Sequence, residues 1–178
     1  MQASDSTTTP RRTVYAGYEG KPDPSERDRI AHLLQVYQST EYFNAQYLPL
    51  WAKVTPDAGM RGGLLLVQAR EAIHARLMRA RLRELGETTF LEVGPERHAR
   101  DLPFFASPDR SDREKLQVLV HVLEDSAAFF EPITDLIGRI ESDDQTRELL
   151  RTILDDEYAT VKWFMQMHAR LAAGSTSA

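Results

Sequence analysis

Four glutamates of this 178-residue chain stand where a helical period calls for apolar side chains: Glu41, Glu71, Glu157 and, at the edge of its stripe, Glu124. A carboxylate buried without a partner costs several kcal/mol even after relaxation, so each must be paired, protonated or bound to a cation. His74 follows Glu71 at i+3, which sends a carboxylate and an imidazole out from one helix face. Oxygen donors joined by an imidazole suit a hard or borderline metal ion such as manganese or iron. Composition narrows the chemistry further. The chain has no cysteine, which excludes a disulfide framework, a thiolate zinc site, an iron–sulfur cluster and a cysteine nucleophile. It also lacks a Gly-rich phosphate loop, a nucleophile elbow and a zinc-protease motif.

Four segments with a helical period must position these residues, and no segment carries a strand period. The first opens at Ser25, with Glu26 and Asp28 in its first turn, and Pro49 is expected to kink or end it. The second runs from the turn Thr55-Pro56-Asp57 to a stop at Gly86. A third starts at the capping-box-like Ser111-Asp112-Arg113-Glu114 and continues through Leu116, Val120, Leu123, Ala127 and Phe130, with a bend at Pro132. The fourth follows Ser142-Asp143-Asp144 and reaches Leu171. Short turns make antiparallel hairpins of the first pair and of the second pair, while residues 87–110 form one long link. An all-α bundle of two hairpins joined by a long crossover is the plan of ferritin-like folds. Residues 1–24 read as a flexible N-terminal arm that Tyr15 and Tyr18 could pin, residues 25–173 as the four-helix bundle, and residues 174–178 as a frayed tail.

The acids agree in height. Glu41 and Glu71 are equidistant from Pro56, in the first turn, and Glu124 and Glu157 are centred between residues 140 and 141, in the second. At ~1.5 Å per residue each pair stands roughly 22 Å from its turn, near the middle of the bundle. Amphipathic patterning alone does not require this. The stretches Gln68-Ala69-Arg70-Glu71-Ala72-Ile73-His74-Ala75 and Asp156-Glu157-Tyr158-Ala159-Thr160-Val161-Lys162-Trp163-Phe164 are similar to the second- and fourth-helix signatures of the ferritin-like dimetal-carboxylate superfamily, which includes rubrerythrins, ferritins, aldehyde-deformylating oxygenases and a bacterial tRNA hydroxylase. The resemblance spans about residues 28–172. It implies a di-iron or Fe/Mn oxidoreductase of oxygenase or hydroxylase type that uses O₂ or peroxide. Glu71 and Glu157 would bridge the ions, Glu41 and Glu124 would be terminal ligands, and His74 would be the single imidazole.

Thr160 stands where that signature has its second histidine, and threonine is a poor ligand. Water completion of a second ion, a single bound ion, and a bundle that has lost its metal and serves as a structural, regulatory or partner-binding subunit are the readings this leaves open. His121, three residues before Glu124, is a further candidate donor, although a turn away from the vacant position. Tyr37, four residues before Glu41, could serve as a redox-active or hydrogen-bonding neighbour. Core acids neutralised by Arg70, Arg76 or Lys162, and a solvated arginine face (Arg76, Arg79, Arg81, Arg83, Arg97, Arg100), are the plain structural readings. A net charge of −5 and a pI near 5.6 argue against general nucleic-acid affinity. The longest apolar runs, Leu64–Val67 and Ala127–Phe130, are too short for a membrane span, and Met1–Pro10 lacks the order of a signal peptide, so a cytoplasmic location is expected. A homodimer acting on a small-molecule or acyl substrate completes these expectations.

Overall fold

The computed structural model describes residues 24–123 and 125–174, and every secondary-structure element within them is a helix. In chain order these are α1 (Glu26–Val54), α2 (Ala58–Glu84), α3 (Pro95–Ala106), α4 (Asp112–Leu123), α5 (Ser126–Arg139) and α6 (Asp144–Gly174). Local chemistry sets the main boundaries. The Ser25 hydroxyl accepts from the Asp28 amide while the Asp28 carboxylate accepts from the Ser25 N–H, a reciprocal cap that satisfies two free donors of α1. Asp57 caps α2 by accepting from the Met60 amide at 2.7 Å. Beyond α2 the chain turns away at Gly86, whose φ of +87° disfavours any residue with a Cβ.

Three elements depart from the expected plan. Pro49 neither ends nor breaks α1, which continues to Val54 because Leu48, Trp51 and Ala52 on its last turns are buried. The single third helix is two helices: α4 stops at Leu123, and the Asp125 side chain accepts from the Ala128 amide to start α5 afresh. Ala127 is exposed while Phe130 is buried, and Pro132 lies inside α5. The link 87–110 contains α3, opened by Gly94-Pro95 and anchored by buried Phe105. Residues 1–23, with Tyr15 and Tyr18, and residues 175–178 lie outside the described residues, as does Glu124.

Contacts at both ends fix the direction of α6. The Glu26 carboxylate, at the start of α1, accepts from the Glu141 amide at 2.7 Å and the Ser142 hydroxyl at 2.6 Å, just before α6. At the far end Arg170 donates to Asp57 at 2.6 Å. Helix α6 therefore runs parallel to α1 and antiparallel to α2. Trp51 Nε1 and the Thr55 hydroxyl both donate to Asp112, which ties the end of α1 to the start of α4.

The core is divided in two. One apolar cluster joins Ile30, Leu34, Met78, Leu82, Ile133 and Leu150; the other joins Phe43, Trp51, Leu64, Phe105, Leu116 and Phe164. Burying such side chains stabilises the fold by about 1.5–3 kcal/mol each. Half-buried Leu123 touches both clusters, so the junction of α4 and α5 falls at the level between them. At that level α1, α2 and α6 turn Gln38, Glu41, Glu71, His74 and Thr160 inward, all buried. Among the described residues no helix is long and apolar enough to cross a membrane.

Candidate metal centre

Each of the three long helices supplies an i, i+3 polar pair to this layer: Gln38 and Glu41 from α1, Glu71 and His74 from α2, Glu157 and Thr160 from α6. The α1–α2 hairpin turns at Pro56, so Gln38 is level with His74 and Glu41 with Glu71. One ligand atom from each of Glu41, His74 and Glu157 lies within 4.8 Å of the other two. His74 Nδ1 stands 3.3 Å from Glu157 Oε1 and 3.7 Å from Glu41 Oε2.

These atoms are close without being bonded. Gln38 Oε1, Glu41 Oε2, His74 Nδ1, Glu157 Oε1 and Thr160 Oγ1 are all buried and have no hydrogen-bond partner. Buried polar atoms are otherwise almost always satisfied. On its other side the ring is engaged, with Nε2 3.2 Å from Asp156 Oδ2. A proton donated from Nε2 to Asp156 leaves the Nδ1 lone pair facing two carboxylate oxygens, an arrangement that is repulsive until a proton or a cation enters. The Asp156–His74 contact is the carboxylate–imidazole pairing that orients histidine ligands. Asp156, with a 41% exposed side chain, is also 3.9 Å from Arg70 Nε, so it connects the layer to the surface.

Electrostatics agree with an uncompensated anionic site. Burial pushes the Glu41 carboxyl up to about 8, with the Glu157 charge adding to the rise and hydrogen bonding to Glu71 opposing it. Glu71 is pushed well above its ordinary range by burial and then by Glu41, while Asn44 Nδ2 donates to Glu71 Oε2 at 2.9 Å and opposes the rise. Burial disfavours the His74 imidazolium, yet Glu157 and Asp156 outweigh it and raise the pKa. Tyr37 is pushed up by burial and by the charges of Glu41 and Glu157, which places its phenol in their field. Among the described residues no arginine or lysine pairs with Glu41, Glu71 or Glu157: Arg70 turns to Asp156, and Arg81 to Glu84 and Asp143.

Glu41, His74 and Glu157 meet as the sequence leads one to expect, with Glu71 beside Glu41 and Thr160 buried one turn beyond Glu157. Glu124 lies outside the described residues. His121 is not in the layer: it is exposed on α4 and lines a surface groove with Phe104, Arg113 and Val118. Sequence reasoning left Asp156, Asn44 and Gln38 without roles. Gln38 and Asn44 could have been found as the i−3 and i+3 neighbours of Glu41 on one stripe of α1; for Asp156, adjacent to Glu157, no pattern signals a reach across to α2.

Two carboxylates and an imidazole, with a third carboxylate adjacent, fit a hard or borderline divalent cation by donor chemistry, and the unpartnered Glu41 Oε2, His74 Nδ1 and Glu157 Oε1 are what such an ion would satisfy. In comparisons with protein-family models, curated proteins and solved structures, nothing matched the chain.

Proposed function

We propose that the protein is a metal-dependent oxidoreductase in which Glu41, His74 and Glu157 hold iron, or iron and manganese, within a ferritin-like bundle whose fourth position is filled by α4 and α5 in succession. When bound, the metal supplies the redox chemistry for an oxygenase or hydroxylase type of reaction with O₂ or peroxide on a small-molecule or acyl substrate. The chain's own part is to prepare the site. Asp156 keeps the His74 proton on Nε2 and so leaves Nδ1 free to ligate. Asn44 orients Glu71, whose carboxyl lies within hydrogen-bonding reach of Glu41 and can take up or release a proton there. The apolar clusters on either side of the layer keep bulk water from it. Tyr37 stands in the field of Glu41 and Glu157 as a hydrogen-bonding or redox neighbour.

The observation that carries this reading is the convergence of unpartnered buried donor atoms from three helices on one point. The test is to express the protein with iron or manganese and measure bound metal by mass spectrometry. Wild type should hold at least one ion per chain, and Glu71→Ala and His74→Ala should hold less. A ratio near zero that Glu71→Ala leaves unchanged would overturn it.

A second reading, a metal-free bundle acting as a structural or partner-binding subunit, is favoured by Thr160 at the signature's histidine position and by the ability of a charged His74 to be neutralised by Glu157 and Asp156. On that reading no metal is retained, and Glu157→Gln leaves stability unchanged or higher.

A further inference from the structure

The face of α2 opposite Glu71 and His74 is apolar and exposed. Gly62, Leu66, Ala69, Ile73, Arg76 and Ala80 follow at alternating steps of four and three, the spacing of a helix–helix seam, and every one of them is exposed. Leu65 and Leu77 flank the seam, and the four large residues Leu65, Leu66, Ile73 and Leu77 are 42–56% exposed. A soluble helix ordinarily turns charged or polar residues outward. Here Arg76 is the only charge among the six seam positions.

We propose that this face is a two-fold interface in which α2 packs antiparallel against α2 of a second copy of the chain. The pattern is self-complementary about residue 71. An antiparallel register centred there sets Gly62 against Ala80 and Ala69 against Ile73 of the other copy along the midline, with Leu66 beside Leu77 on one side and Leu65 beside Arg76 on the other, so small residues occupy the crossing and leucine packs on leucine at its edge. A two-fold axis requires such self-complementarity. The same register puts Arg76 and its symmetry mate ten residues apart along the seam, about 15 Å at 1.5 Å per residue and beyond the ~8 Å screening length. Seam and flanking residues are all exposed and form one continuous strip along α2, and a standard stable interface takes ~800 Å² per partner, which such a strip with its surroundings can supply. Pairing of this kind would brace the helix that carries Glu71 and His74, but it does not depend on metal at that site.

The test is the mass of the full chain in solution by light scattering and sedimentation, at tens of micromolar protein, with and without chelator. The expected result is twice the 20.3 kDa chain mass in both conditions. Ile73→Glu and Leu66→Glu should each give a folded monomer, checked by circular dichroism. Because the chain has no cysteine, the register is tested separately: Ala69→Cys mixed with Ile73→Cys under oxidation should give a covalent dimer that neither gives alone. A monomeric wild type, a dimer that persists in Ile73→Glu, or no covalent dimer from the mixture would each overturn the proposal. Loss of metal from a protein that stays dimeric would count against the metal reading and leave this one standing.

Discussion

Replacing Glu41 by glutamine should remove a pH-dependent weakness of the metal-free protein. Burial raises the Glu41 carboxyl from 4.5 to about 8, so between those values the folded chain holds a proton that the unfolded chain has released. The folded state then binds more protons than the unfolded state, and stability must fall as pH rises through that window. Each pKa unit is worth about 1.4 kcal/mol, so the full shift destabilises the chelated protein by roughly 5 kcal/mol above pH 8, a large fraction of a domain's stability. Glu71 is raised too and adds to the same slope. The raised His74 acts in the same direction, its contribution being complete below its unfolded pKa of about 6.5 and lost as pH rises through its folded one. Glu41→Gln keeps the shape and removes one titrating group. Urea unfolding of chelated protein at several pH values from 5 to 9 should therefore show wild type losing stability with pH and the variant losing clearly less, with the two diverging most above pH 8. With manganese or iron(II) present the wild-type slope should flatten or reverse, because the ion displaces those protons and its apparent affinity grows with pH. A chelated wild type whose stability is flat or rising between pH 5 and 8, or a variant with an unchanged slope, would refute the assignment of a buried, uncompensated acid to Glu41.

Two further perturbations test other parts of the arrangement. Asp156→Asn should lower metal affinity by about 10–100-fold in a manganese titration, the usual effect of removing a histidine's outer carboxylate, while leaving the fold intact because the Asp156 side chain is half-buried at the edge of the layer and asparagine keeps its shape; unchanged affinity would mean that Asp156 does not orient His74. Gly63→Ala should destabilise although alanine is the better helix former by ~1 kcal/mol, because the added Cβ would overlap the Trp163 indole at Cζ2 where α2 meets α6. Overpacking of this kind costs about 1–3 kcal/mol, and denaturant unfolding should show the loss shrinking in a Trp163→Leu background; a stabilised Gly63→Ala would place the two helices farther apart.

The helices that carry the layer were legible because their causes are local. Ser25 and Asp57 act as caps, Gly86 ends α2, and short turns dictate hairpins, all within a few residues of where the chemistry happens. The coincident heights of Glu41 and Glu71 were legible for the same reason, since the α1–α2 turn alone sets that register. The division of the third segment at Asp125 and the helix inside the crossover were missed because each rests on a competition. At Asp125 a side-chain cap outweighs a continuous apolar stripe, and in the crossover the prolines read as breaks although Pro95 opens α3 and Pro103 lies inside it.

The sequence alone, then, determined the donor types, their placement on core-facing stripes and the exclusion of thiolate chemistry, because residue identity and helical period carry that information. Only the tertiary structure decided which donors meet. Glu157 reaches His74 because α6 runs parallel to α1, an alignment set by Glu26 at one end and by Arg170 with Asp57 at the other, more than a hundred residues apart in sequence. It also decided that Asp156 would hold the far side of the imidazole and that His121 would face solvent. Such outcomes depend on the rotation and packing of whole helices, which no local pattern encodes.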